Sequence, residues 1–321
     1  MKKPKIVILD GGYASYHAEE TLLTEKGYHC THYSGPGDDH REKTAFCRDA
    51  VGVLVRGTLI DDAFFQSCPD LRVVVRYGVG YDNIDIEAAT HHGVKVANVQ
   101  GYANHSVSDH ALALMYACMR MLPMGIGRIK SGFGKPPVPD LFELHEKTVG
   151  IIGLGRIGRT FCRKIGPLCN RVLACDPAID HQVFDEYGAI RVELNELLAE
   201  SDVISLHCDL NESSQHLLDR QAFMSMGKRP IVINTSRGGV IDTHALLGAL
   251  ETDRIHSAGI DVFEHEPLTL TEVPLLGHPR IISTGHYAWY SDRAAIMLQK
   301  RAVENLVNLL EGKRIEDCLN P

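Results

Sequence analysis

The chain has 321 residues and a mass of 35.5 kDa, long enough for two domains that each bury a core. Its formal net charge of −8 and pI near 6.1 argue against a nucleic-acid or anionic-membrane surface, since both need a basic face. Hydrophobic residues make up 44% and charged residues 23%, a globular balance, with no apolar run of the ~20 residues that span a membrane; the sequence reads as soluble and cytoplasmic.

The chain opens on two lysines and only four consecutive apolar residues before Asp10, which reads as a buried first strand rather than a secretory signal. "KIVIL" (5–9), "VGVLV" (51–55), "LRVVV" (71–75) and "VKVANV" (94–99) are predicted strands. Predicted helices cover 18–26 and 86–92, with Gly27 and Gly93 where C-caps belong. In "YHCTHY", strand alternation puts Cys30 and His32 on one face and His29 on the other. No fourth ligand lies near, so no metal site is read there. The nine cysteines form no CxxC pair and fit free thiols in a reducing compartment.

Residues 105–122 read as one long helix, too apolar for a surface. "SGFGKPPVPD" (131–140) reads as an exposed connector. A second series of strands follows: "KTVGII", "RVLACD", "DVISLHC", "PIVINTS", "HSAGIDV" and "RIIST". Helices are predicted between them at 194–200 and 244–251, and a last helix at about 292–311. Strands alternating with helices imply parallel sheets. The predicted fold is α/β: two Rossmann/flavodoxin-like doubly wound domains with an active-site cleft between them.

"GLGRIG" supplies Gly153, Gly155 and Gly158 after a predicted strand and at the start of a predicted helix, the context a dinucleotide loop requires. The glycines let the backbone turn tightly and approach a pyrophosphate at a helix N-terminus. Asp176 closes the next strand, where a carboxylate can accept both ribose hydroxyls and would repel a 2′-phosphate. The cofactor is read as NAD rather than NADP.

Three strand ends then carry a set of reactive groups: Arg237 in "INTSRGGVID", Glu266 in "GIDVFEHEP" and His286 in "STGHYAWYS". Arg237 can hold a carboxylate and polarise a carbonyl in one fork. His286 can supply a proton at working pH. Glu266 can orient the ring and keep it charged to higher pH. Each also has an ordinary reading: Arg237 at a helix C-terminus, Glu266 in solvent, His286 on a carbonyl. Together they suit the reduction of a 2-oxo acid, in which hydride reaches C2 and a proton reaches the oxygen.

"RYGVGYDNIDIEAA", "GLGRIGR", "LHCDLNE", "NTSRGGVID" and "HYAWYS", in this order, resemble the D-isomer-specific 2-hydroxyacid dehydrogenase family, on the branch containing the C-terminal-binding proteins. The resemblance covers nearly the whole chain. It implies Arg237, Glu266 and His286 as catalytic residues. It implies Arg76 and the amides of Gly78 and Val79 as a substrate carboxylate pocket, in keeping with the anion nest that successive amides form. Trp289 would line the substrate pocket, or else be a core or dimer-interface aromatic. Arg156, Ile157, Asp176, Cys208, Asn211, Thr235 and Asp261 would contact the dinucleotide, with Asp261 at the nicotinamide amide. Gly285, Asp209 and Val107 depart from the family pattern.

The expected organisation is a substrate-binding (catalytic) domain at 1–103, completed by 291–321, and an NAD-binding Rossmann domain at 104–290. The expected function is an NAD-dependent enzyme interconverting a 2-oxo acid and a D-2-hydroxy acid, as a homodimer with no metal. Tyr81, Tyr102, Tyr287 and Trp289 suggest a medium-sized apolar or thioether substrate side chain. The alternatives are an NAD(H)-sensing, corepressor-like binding protein, and a relative acting on formate or phosphite.

Overall fold

The computed structural model describes residues 3–35, 39–132, 141–271 and 273–321. The first part alternates β1 (Lys5–Ile8), α1 (His17–Glu25), β2 (His29–His32), α2 (His40–Cys47), β3 (Ala50–Val55), α3 (Asp62–Ser67), β4 (Val73–Arg76), α4 (Ile86–His91) and β5 (Lys95–Ala97). Two helices follow, α5 (Asn104–Met119) and α6 (Leu122–Lys130). The second series runs β6 (Thr148–Ile152), α7 (Arg156–Ile165), β7 (Arg171–Cys175), α8 (His181–Tyr187), β8 (Ile190–Arg191), α9 (Leu194–Glu200) and β9 (Val203–Leu206). It continues through α10 (Arg220–Ser225), β10 (Ile231–Asn234), α11 (Thr243–Glu251), β11 (Ser257–Ile260), α12 (Val273–Gly277) and β12 (Ile281–Ser283), and α13 (Asp292–Leu310) closes the chain's helices.

The chain divides into two compact units, Met1–Tyr102 with Ser291–Pro321, and Ala103–Tyr290. In the first, five parallel strands take the order β2-β1-β3-β4-β5. Val7, Val53, Val55, Val74 and Val96 pack one face against Phe64, Phe65 and Ala89 of α3 and α4. The opposite face meets α13: a Cβ added to Gly52 would stand 2.9 Å from Ile6 Cδ1 and 3.2 Å from Leu306 Cδ1. Glycine at that strand position is what lets α13 lie so close.

The second unit holds seven parallel strands in the order β12-β11-β10-β9-β6-β7-β8. Alternate residues feed opposite cores, as in β10, where Ile231 and Ile233 join the helices α5, α7 and α8 while Val232 joins α9, α10 and α11. That is the doubly wound α/β architecture the strand pattern predicts. The order reverses between β6 and β9, opening a crevice at the carboxyl ends of the strands, where ligands bind in such sheets.

The helix predicted at 105–122 is α5, which ends at Met119, and α6 follows it as a separate helix. Met121 takes a left-handed φ of 48° between them. Pro123 explains the stop: within an unbroken helix its ring would meet the carbonyl four residues back, whereas in the first turn of a new helix it is tolerated. Most of the predicted connector, residues 133–140, lies outside the described residues. No helix among the described residues is long and apolar enough to cross a membrane.

Candidate active site

Each candidate residue of the second unit follows the carboxyl end of a strand: Gly153–Gly158 after β6, Asp176 after β7, Cys208 and Asn211 after β9, Thr235 and Arg237 after β10, Asp261 and Glu266 after β11, His286 and Trp289 after β12. Because the strands are all parallel, these loops share one edge of one sheet.

At the glycine loop, Gly153 has φ +92°, and a Cβ there would lie 2.5 Å from the Cys208 amide nitrogen. A Cβ on Gly158 would lie 2.1 Å from the Gly153 carbonyl oxygen. These two glycines are fixed by packing. Gly155 is different: nothing stands within 4 Å of its missing side chain, and it caps α7 without a side-chain hydrogen bond. The first-turn amides of α7, those of Ile157 and Gly158 among them, therefore face a helix end with no side-chain cap, suited to an anion.

Asp176 accepts from the Leu154 amide at 2.7 Å and from the Ala178 amide at 3.0 Å, one on each oxygen. A lone pair on each oxygen remains for a ribose hydroxyl. Thr235 is buried, and its hydroxyl has no partner among the described residues, the kind of orphan a bound molecule satisfies. These features fit a dinucleotide. Burial pushes the Cys208 thiol up to about 11, so it stays protonated. Asn211 spends its side-chain oxygen on Ser213.

The predicted pair Glu266 and His286 meets: His286 Nδ1 lies 2.5 Å from Glu266 Oε2. The other carboxylate oxygen accepts from the Phe263 amide at 3.0 Å, so backbone fixes the acid and the acid fixes the ring. Burial alone would raise the Glu266 carboxyl, but the bonds from His286 and Phe263 and the charges of His286 and Arg237 hold it below its ordinary range. His286 Nε2 makes no hydrogen bond among the described residues and its side chain is 39% exposed. The nearby Glu264 turns elsewhere, to His216 at 2.6 Å and the Thr243 amide at 3.1 Å.

Gly238 lets the Arg237 loop approach the Glu266 loop: a Cβ there would stand 1.9 Å from the Phe263 carbonyl. Asn234 shapes the turn that carries Arg237, accepting from Ser236 and donating to the Arg237 carbonyl at 2.9 Å.

Asp261, fully buried, holds the loop bearing His286. Its carboxylate accepts from the Thr284 hydroxyl at 2.5 Å, the Tyr287 amide at 3.2 Å and the Ala288 amide at 2.8 Å. Its carbonyl accepts from the His286 amide at 2.7 Å. His286 consequently adopts φ +55°. Behind Asp261, His110 of α5 reaches Thr284 Oγ1 at 2.9 Å. Sequence reasoning missed His110, Thr284 and Asn234; the one available signal was a histidine inside the apolar run of α5. Gly285 has open space around it, Val107 is buried, and the Asp209 carbonyl accepts from Ser214. Trp289 meets the ring of Tyr290 edge-on at 5.5 Å.

In the first unit, Gly78 has φ +137°, and a Cβ there would lie 1.6 Å from Arg76 Nη1. The guanidinium therefore covers the glycine turn. The Gly78 carbonyl accepts from Val99 and the Val79 carbonyl from Asn98, while neither amide donates among the described residues.

The family model described as D-isomer specific 2-hydroxyacid dehydrogenase, NAD binding domain, matches residues 112–288. A glyoxylate/hydroxypyruvate reductase B of Serratia proteamaculans is 32% identical over 99% of this chain and 98% of its own length. One from Yersinia enterocolitica is 30% identical over the same shares. Among solved structures, a glyoxylate reductase from Paecilomyes thermophila superposes with a TM-score of 0.89 at 26% identity, covering 99% of this chain and 98% of that one. With the glycine loop, the acidic residue after β7 and the parallel sheet that carries them, these matches place the chain in the D-isomer specific 2-hydroxyacid dehydrogenase family, as an NAD-dependent oxidoreductase.

Proposed function

We propose that the protein reduces a small 2-oxo acid to the D-2-hydroxy acid, with His286 as proton donor, Glu266 as its orienting base and Arg237 as the carbonyl and carboxylate ligand. The observation that carries this reading is the 2.5 Å contact between His286 and Glu266, beside the strand end bearing Arg237. NADH, when bound, supplies the hydride that reaches C2. Arg237 polarises the carbonyl by placing positive charge where the oxygen becomes negative. His286, protonated on both nitrogens, keeps Nδ1–H on Glu266 and delivers the Nε2 proton to that oxygen.

In this reading the unit Ala103–Tyr290 binds NAD: Gly153, Gly155, Arg156, Ile157 and Gly158 at the pyrophosphate, Asp176 at the ribose, and Cys208, Asn211, Thr235 and Asp261 along the remainder. Asp261 has little spare capacity for the nicotinamide amide, since its carboxylate already takes three protein hydrogen bonds. The other unit binds substrate, with Arg76, Gly78 and Val79 receiving a carboxylate; the amides of Gly78 and Val79, which donate to no described residue, support that. Trp289 is assigned to the substrate pocket.

The similarity to glyoxylate/hydroxypyruvate reductases favours a two- or three-carbon substrate over the medium-sized one suggested by the aromatics. Those aromatics do not share an environment: Tyr102 is buried, whereas Tyr81 and Tyr287 are exposed. A homodimer is proposed from α6, which exposes Leu122, Ile126 and Ile129 at helical spacing and buries no residue. The test is loss of NADH absorbance with glyoxylate, hydroxypyruvate and a panel of longer 2-oxo acids. Turnover on the short acids is expected; silence on every one overturns the reading in favour of an NAD(H)-binding protein.

A further inference from the structure

We propose that His110 is a positioning residue for the reaction: through Thr284 and Asp261 it sets the backbone from which His286 presents its proton. The inference rests on the proposed role of His286.

Hydrogen-bond accounting fixes the direction of the contact. Thr284 has one hydroxyl proton, and it goes to the Asp261 carboxylate at 2.5 Å, which can only accept while ionised. The nitrogen 2.9 Å from the same hydroxyl oxygen, His110 Nε2, must then be the donor. The His110 side chain is largely buried, its Nε2 is 3.6 Å from the Asp261 carboxylate, and the Tyr287 ring meets the imidazole edge-on at 5.2 Å. One ring from α5 thus touches the residues two before and one after His286.

The loop needs such support. A left-handed φ on a residue with a side chain is unfavourable and persists only where surroundings over-determine it. Asp261 supplies that constraint by bonding residues 284, 286, 287 and 288 at once. His110 in turn orients the Thr284 hydroxyl and so decides which way the carboxylate faces. Without the imidazole donor, the Thr284 hydroxyl keeps only Asp261 of its two partners, and the loop is freer to relax toward ordinary backbone. The His286 ring would then leave the line of proton delivery while the glycine loop and Asp176, on the far side of the sheet's switch point, keep their geometry.

The chain's single tryptophan, Trp289, lies in this same loop and reports its position. The test compares His110→Leu, Thr284→Val and His110→Gln in the full-length enzyme, each alone and combined with His286→Gln. His110→Leu and Thr284→Val should each lower kcat roughly 10- to 100-fold, the effect of a small misplacement of a reacting group. KM for NADH should stay within about threefold, since a loss confined to the transition state leaves ground-state binding intact. Trp289 emission, read without NADH, should shift in both variants. His110→Gln, whose side-chain amide also donates, should restore kcat to within about fivefold of the parent. In the His286→Gln background the same substitutions should cost nothing further. Equal losses with and without His286, or unchanged kcat and emission in both single variants, overturn the inference. Full turnover of His286→Gln alone overturns the reading beneath it. Thr284→Val nearly preserves volume, so it decides the matter if His110→Leu does not fold.

Discussion

His286 stands on a backbone with φ +55° that few side-chain-bearing residues adopt, with one ring nitrogen on an acid and the other without a hydrogen bond among the described residues. Replacing it by Gln keeps a polar side chain of similar reach but removes the titratable proton. His286→Gln should lower turnover about 10²- to 10⁴-fold, the usual worth of a general acid, with the NADH dissociation constant little changed; stopped-flow and NADH titration measure the two. At this scale the sequence was readable where chemistry and spacing coincide. Glu266, Arg237 and His286 each follow a recognisable strand. The network of His110, Asp261 and Thr284 was not readable, because it joins three remote segments and its members are chemically ordinary.

At the scale of elements, the three glycines of the cofactor loop make different demands. Gly158→Ala forces a Cβ to 2.1 Å from the Gly153 carbonyl and should destabilise the protein by about 1–3 kcal/mol, as overpacking does. Gly155→Ala meets no protein atom within 4 Å and should leave the melting temperature almost unchanged. It should nonetheless weaken NADH binding by about tenfold or more, because the added methyl stands where the pyrophosphate must approach. Calorimetry and NADH titration on the two variants separate these effects. The buried strands announced themselves as short apolar runs, and their parallel order follows from the helices between them. The short helices α2, α3 and α10 went unread, although Asp39, Asp61 and Asp219 accept backbone hydrogen bonds at their N-termini and such caps are a sequence signal. The stop after Met119 was legible in Pro123, but α6 itself was hidden by Gly125 and Gly127, which a helix interior disfavours.

At the scale of the whole molecule, one buried charge network anchors the first of the two units. In the first, the Asp10 carboxylate binds Lys43 Nζ at 2.8 Å, the Thr58 hydroxyl, and the amides of Arg56, Gly57 and Thr58. Burial opposes its ionisation, yet these bonds hold it well below the ordinary 3.8. A depressed folded value means that the charged carboxylate stabilises fully above the unfolded value and progressively less as pH falls below it. Asp10→Asn should therefore cost about 3–5 kcal/mol near neutrality, as when one partner of a buried ion pair is removed. The gap between variant and parent in chemical denaturation should narrow at pH values below about 4. For the proposed dimer, Leu122→Glu with Ile126→Glu should convert the assembly to monomers by sedimentation, since charge at an apolar interface is not tolerated; an unchanged assembly would remove α6 from it.

The return of α13 to the first sheet has a consequence for synthesis. The β3 strand at residues 50–55 leaves the ribosome long before Leu306, the side chain that packs beside Gly52 and Ile6. Residues 103–290 are continuous and can complete their core while the first sheet still has one greasy face uncovered. Domains generally fold as they emerge, so the earliest-made stretch of this polypeptide is the last to finish, and a chain stalled before its final helix would present that face to chaperones and proteases.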